Sequence, residues 1–153
     1  MSFYAVRGVD RTGQLFFRPR PGHTDSSEFV TLEIDGRSLD RRPDGTPIAM
    51  GDSILITIAV VDFSRLILDF QPSGLRFVPS RPAELEIEYE EADDDINEDG
   101  VVDSGDAALR PILAIWRQEN PGALWTREPS NSSGSVDEVE ADIQGFTRYA
   151  IAY

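Results

Sequence analysis

Apolar residues alternate with acidic or polar ones at a period of two in separate parts of the chain, and this pattern constrains the fold more than any other feature. In FVTLEID, Val30, Leu32 and Ile34 alternate with Thr31 and Glu33. In ELEIEY, Leu85, Ile87 and Tyr89 alternate with Glu84, Glu86 and Glu88, and in VEADI, Val139, Ala141 and Ile143 alternate with Glu140 and Asp142. Successive side chains of a strand point to opposite faces, so each segment reads as a strand with one core face and one wet face. SILITIAVV (53–61) and RLILDF (65–70) are more continuously apolar, which predicts central strands covered on both faces.

Turn signals separate these runs: PDGTP (43–47), QPSG (71–74), PSRP (79–82), NPG (120–122) and NSSGS (131–135). LAIWRQE and ALWTRE flank NPG as the arms of a hairpin carrying Trp116 and Trp125. One weak helix is expected, from Ala107 to Leu113, cut by Pro111. Many short strands with Pro/Gly turns predict an all-β protein, an antiparallel β-sandwich with at most one short helix. At 153 residues the chain is long enough for one independent core. We expect a main body over 29–153 and, over 1–28, an N-terminal arm or an extra hairpin around the turn VDRTG.

Charge narrows the function classes. A net charge of −14 gives no electrostatic footprint for nucleic acid or anionic lipid. The basic residues are all Arg, which removes Schiff-base lysine chemistry, and the absence of Cys removes thiolate nucleophiles and Cys-ligated metals. No apolar run reaches the ~20 residues of a membrane span, so no membrane insertion is expected. The start has no signal-peptide anatomy, which fits a cytosolic chain or one that begins after a processed leader. The single His, His23, falls in a polar turn-rich stretch and reads as a surface residue.

Much of the negative charge sits in EYEEADDDINEDGVVDSGDAALRP (88–111). A charge run is usually a solvated face, but the spacing here is specific. DINEDGVVDSGD places oxygen side chains at Asp95, Asn97, Asp99, Asp103 and Asp106, positions 1, 3, 5, 9 and 12 of a calcium loop, with Gly100 at position 6. A hard cation takes six to eight oxygens at about 2.3–2.6 Å, and alternate residues of a tight loop can converge on one point. Gly100 permits the positive φ of the turn, and Val101 would supply its carbonyl. Val102 would turn inward and anchor the loop. The expected cofactor is therefore Ca2+, bound in an insertion spanning 93–106 by Asp95, Asn97, Asp99, Val101, Asp103 and Asp106. The alternative is a solvated loop without metal. Mg2+ fits less well because it demands tight octahedral geometry. DGVVDSGDAAL resembles the loop-into-helix run of dockerins, with Asp106 where an EF-hand has a bidentate Glu. The strand before it and Pro111 after it argue against a complete helix–loop–helix.

DFQPSGLRFVPSRPAELEIEYEEAD resembles the ZU domain of zonula-occludens, netrin-receptor and ankyrin proteins and of bacterial surface proteins. The matching positions are Phe70, Pro72, Ser73, Gly74, Leu75, Phe77, Pro79, Pro82, Leu85, Ile87 and Tyr89. FVTLEIDGRSL and the Trp hairpin resemble the segments that precede and follow it in that family. The resemblance spans about residues 29 to 153 and implies a β-sandwich used as a structural or protein-interaction unit. Some animal relatives cleave themselves at His-Phe-Ser; here Gly145, Phe146 and Thr147 occupy those positions. Thr147 would lack the general base that such a nucleophile needs, and no acid pair lined by aromatics marks a glycosidase. No catalytic residue is therefore expected.

These observations predict a non-catalytic, calcium-stabilised module of a secreted or cell-surface bacterial protein, structural or adhesive, with a protein or cell-surface partner. The alternative is a subunit of a surface filament or lattice that self-associates through the N-terminal arm.

Overall fold

The computed structural model describes residues 1–17, 27–63, 65–89, 95–133 and 137–153. His23, Asp93 and Asp94 lie outside the described residues, as does most of the segment expected to link the arm to the body.

Two antiparallel sheets face one another. The first contains β1 (Ser2–Val6), β5 (Ser53–Asp62), β6 (Ile67–Gln71), β13 (Arg148–Ala152), β9 (Ala114–Gln118) and β10 (Trp125–Arg127), in that spatial order. The second runs β11 (Ser130–Ser133), β12 (Glu138–Ile143), β8 (Ala83–Glu88), β3 (Glu28–Ile34) and β2 (Arg11–Phe16). A small ribbon of β4 (Leu39–Arg41) and β7 (Arg76–Phe77) completes the set. The architecture is the all-β sandwich that the alternation predicts.

The three alternating segments become β3, β8 and β12, paired side by side with Val30 opposite Ile87 and Ile87 opposite Val139. Those side chains are fully buried, and Phe29, Ile56, Phe70, Leu85 and Tyr149 fill the same core. Phe70 meets Tyr149 edge-on at 5.3 Å and Phe146 at 5.5 Å, so aromatic packing joins β6 to the last strand.

Two expectations need correction. β5 and β6 are central in their sheet but covered on one face only: Ile54, Ile56 and Ile58 point into the core, while Leu55 and Val61 are exposed. A two-layer sandwich gives each strand one core face, and no further layer lies over this sheet among the described residues. The N-terminal segment is not a hairpin. β1 pairs with β5 and β2 with β3, so the two strands join opposite sheets. Gly13 makes this possible, because a Cβ there would lie 2.3 Å from the Phe3 ring that packs across from β1.

β9 and β10 form the Trp hairpin as predicted, closed by a turn with Gly122 at φ 86°. The helix α1 (Ser104–Leu109) starts three residues before the expected Ala107, because Asp103 caps it. It continues as a 3-10 turn over Arg110–Ile112, with Pro111 near its start where no N–H is required.

Candidate metal loop, acidic sheet face and adjoining cleft

The segment from Asp95 to Asp106 is wound by its own side chains. The Asp95 carboxylate accepts the backbone N–H of Asp99 at 3.1 Å and that of Gly100 at 2.7 Å. Asn97 Oδ1 also accepts from Asp99 N at 2.9 Å, and Asp99 Oδ1 accepts from Val101 N at 2.9 Å. Glu98 and Gly100 have φ of 58° and 88°, the left-handed conformation expected at Gly100.

The second half is a reciprocal cap. Asp103 Oδ1 accepts from Gly105 N at 2.6 Å, and Asp106 Oδ2 accepts from Asp103 N at 2.8 Å. Asp106 also takes the N–H of Asn97 at 3.2 Å, tying the end of the loop to its beginning. It is 2% exposed. The N–H of Asp103 is the main reason its carboxyl titrates below the usual carboxylate range, with Asn97 and Ile96 adding to the effect against the opposing cost of burial.

The six predicted ligand residues thus share one folded loop, but no three of its carboxylates have oxygens within 4.8 Å of one another. Asn97 Nδ2 nevertheless donates to Asp99 Oδ2 at 3.0 Å. Val101 and Val102 are exposed, so Val102 is not the inward anchor that the spacing predicts. Ile96, beside the first acidic residue, packs against the core in its place. At the exit, Arg110 pairs with Asp137 at 2.7 Å and its carbonyl accepts from Ser132 Oγ at 2.9 Å, which fixes α1 to the second sheet.

The wet faces of β8 and β12 are separate in the sequence, and their pairing joins them into one acidic surface. Glu88 lies opposite Glu138, Glu86 opposite Glu140 and Glu84 opposite Asp142, while Glu84 also faces Glu33 on β3. Like charges directly opposite one another destabilise a sheet. Glu86, Glu88 and Glu138 bring oxygens within 4.8 Å of one another. The Glu86 carboxyl is pushed up to about 7, first by burial, then by its hydrogen bond to Glu138 and the negative charges of Glu138, Glu28 and Glu88. We read this contact as a shared proton. Burial likewise raises Glu84, reinforced by Glu140, Glu33 and Asp142. The acidic alternation was visible in the sequence, but which strands neighbour each other was not.

A cleft of about 850 Å³ lies beside the loop. Asp95 to Glu98 and Gly100 border it, together with Trp116, Trp125, Leu113, Ile151 and Tyr153.

In the last loop, Phe146 is core, packed on Phe70 and Phe77. The Thr147 hydroxyl is buried against the carbonyls of Gln118 and Glu119, the latter at 2.9 Å. A Cβ on Gly145 would lie 2.5 Å from the Leu75 carbonyl oxygen, so the backbone approach there admits only glycine.

Among the described residues no helix is long and apolar enough to cross a membrane. Compared with known proteins, the chain matches no protein-family model, no curated protein and no solved structure.

Proposed function

We propose that the chain is a non-catalytic, calcium-stabilised β-sandwich module of a secreted or cell-surface bacterial protein, with a structural or adhesive role and a protein or cell-surface partner. The carrying observation is the loop from Asp95 to Asp106, in which the first carboxylate collects the N–H groups of the fifth and sixth residues and the ninth and twelfth cap each other. In this reading Asp95, Asn97, Asp99, Asp103 and Asp106 ligate through their side chains and Val101 through its carbonyl. A cation would draw the side chains together and offset their repulsion.

The resemblance of residues 29 to 153 to ZU domains is the second support. Millimolar extracellular calcium would keep such a site filled, which favours a surface location. The buried Thr147 hydroxyl, held by carbonyls, favours a non-catalytic reading. Calcium-dependent melting tests the proposal, with Asp95→Ala abolishing the response.

Filament assembly has one narrower support. β1 is an edge strand, and it exposes Tyr4 directly opposite the exposed Leu55. Because β1 and β2 already pair within their own chain, assembly would use that free edge, without release of the arm. Size-exclusion chromatography of the full chain and of its Tyr4→Arg variant tests this; a parent chain that is monomeric at every concentration contradicts it.

A further inference from the structure

The cleft beside the loop carries a ligand chemistry of its own. Trp116 and Trp125, the two tryptophans of the chain, both line it. In the β9–β10 ladder Trp116 faces Arg127 and Trp125 faces Gln118, so the two indoles are diagonal neighbours on one face of the sheet. Trp116 is held in place because its Nε1–H donates to the Ala152 carbonyl at 3.1 Å. Its neighbour on the other side is Ala150, opposite it on β13, which is buried yet borders the cleft. Ala150, Ala152 and Tyr153 extend the lining along the end of β13. Tyr153 is more than half exposed.

The rest of the lining mixes apolar residues, Leu66, Ile67, Ile96 and Leu113 among them, with a few polar groups. Asn97 and Glu98 come from the loop, and Arg65 precedes β6. A purely apolar ligand would strip water from these groups without replacing their hydrogen bonds. An anion would meet a chain of net charge −14. A neutral polyhydroxyl ligand satisfies both parts of the lining: its C–H faces lie on aromatic rings, and its hydroxyls donate to Glu98 and accept from Arg65. The volume lies within the 300–1,000 Å³ typical of small-ligand clefts.

We propose that this cleft is a binding site for a neutral oligosaccharide, with Trp116 and Trp125 as the stacking platform. Asp95 and Asn97 of the loop border the cleft, but the stacking platform lies outside the loop, so the proposal gives the adhesive role a ligand class and is tested with and without metal.

The test follows tryptophan emission during titration with cellohexaose, xylohexaose, laminarihexaose and chitohexaose, each in excess Ca2+ and again in EGTA. At least one sugar is expected to produce a saturable change in both conditions. Trp125→Ala is expected to weaken that sugar by about tenfold or more. Trp125 is on an edge strand, and the melting curve of the variant checks that it folds; calorimetric titration replaces emission where the tryptophan is removed. Silence from all four sugars at millimolar concentration overturns the proposal. So does binding that Trp125→Ala and Trp116→Phe leave unchanged, or a preference for hexyltrimethylammonium over every sugar. A sugar that binds equally in EGTA, with no melting shift from Ca2+, would leave this site standing while removing the metal.

Discussion

The carboxylate of Asp95 accepts the backbone N–H of Gly100 at 2.7 Å, across a turn that Gly100 enters at φ 88°. That contact makes the acidic segment a wound loop, and it places the first proposed ligand against the residue whose conformation closes the turn. A side chain at Gly100 would meet open space but would have to adopt a strained φ. The loop's geometry therefore depends on backbone conformation more than on packing.

Removing the cap should loosen the loop even without metal. Asp103→Ala deletes the acceptor for Gly105 N and breaks the reciprocal pair with Asp106. The expected loss is about 0.5–2 kcal/mol in urea unfolding with EGTA present, while Asp103→Asn should retain most of the cap. Equal stability of Asp103→Ala and the parent chain would show that α1 contributes little to the folded state.

Stability should fall as pH rises from mildly acidic to slightly alkaline, through Glu86. Its carboxyl titrates near 4.5 in an unfolded chain and at about 7 in the folded one, so between those values the native state holds the extra proton. The contribution is fully present below about 4.5 and lost as pH passes about 7. Asp106, shifted downward, acts in the opposite sense and only as pH falls into the carboxylate range. Melting temperatures in EGTA between pH 5 and 8 should therefore decline more steeply for the parent chain than for Glu86→Gln. Parallel curves would remove the shared proton.

Phe70→Ala should be severely destabilising. The ring is fully buried and meets both Phe146 and Tyr149. Its removal should cost about 3–5 kcal/mol, read from the denaturation midpoint. A loss below 1 kcal/mol would mean that the two sheets do not pack around this ring.

Gly145→Ala tests the close approach of the last loop to β7. The new Cβ would press on the Leu75 carbonyl, whose oxygen accepts from Phe146 N at 2.9 Å. Overpacking of this kind costs about 1–3 kcal/mol. Unchanged stability would show that the backbone can yield there.

Much of the fold was legible because alternation is local. Val30, Leu32, Leu85, Ile87 and Val139 could be assigned to the core from their own segments, and so could the Trp hairpin from its turn. β5 misled because Leu55 and Val61 are apolar yet lie on the outer face, so composition suggested two covered faces where there is one. The first strands misled because VDRTG lies between two short runs, and nothing local says that Phe3 packs against Gly13 from the opposite sheet. The turn at Gly100 was legible from its residue type; Ile96 replaced Val102 as anchor because that choice depends on how the loop meets the body. The Glu86–Glu138 contact is a property of strand order, which the sequence does not display.

Calcium titration followed by thermal melting tests the central claim most directly. If Ca2+ is supplied at about one hundred times its dissociation constant, the folded state should gain about 2.7 kcal/mol, and the melting temperature should rise by several degrees over EGTA. Asp95→Ala should melt at the same temperature with and without the metal. A parent chain whose melting is identical in excess Ca2+ and in EGTA, with no heat of binding by calorimetry, would contradict the account.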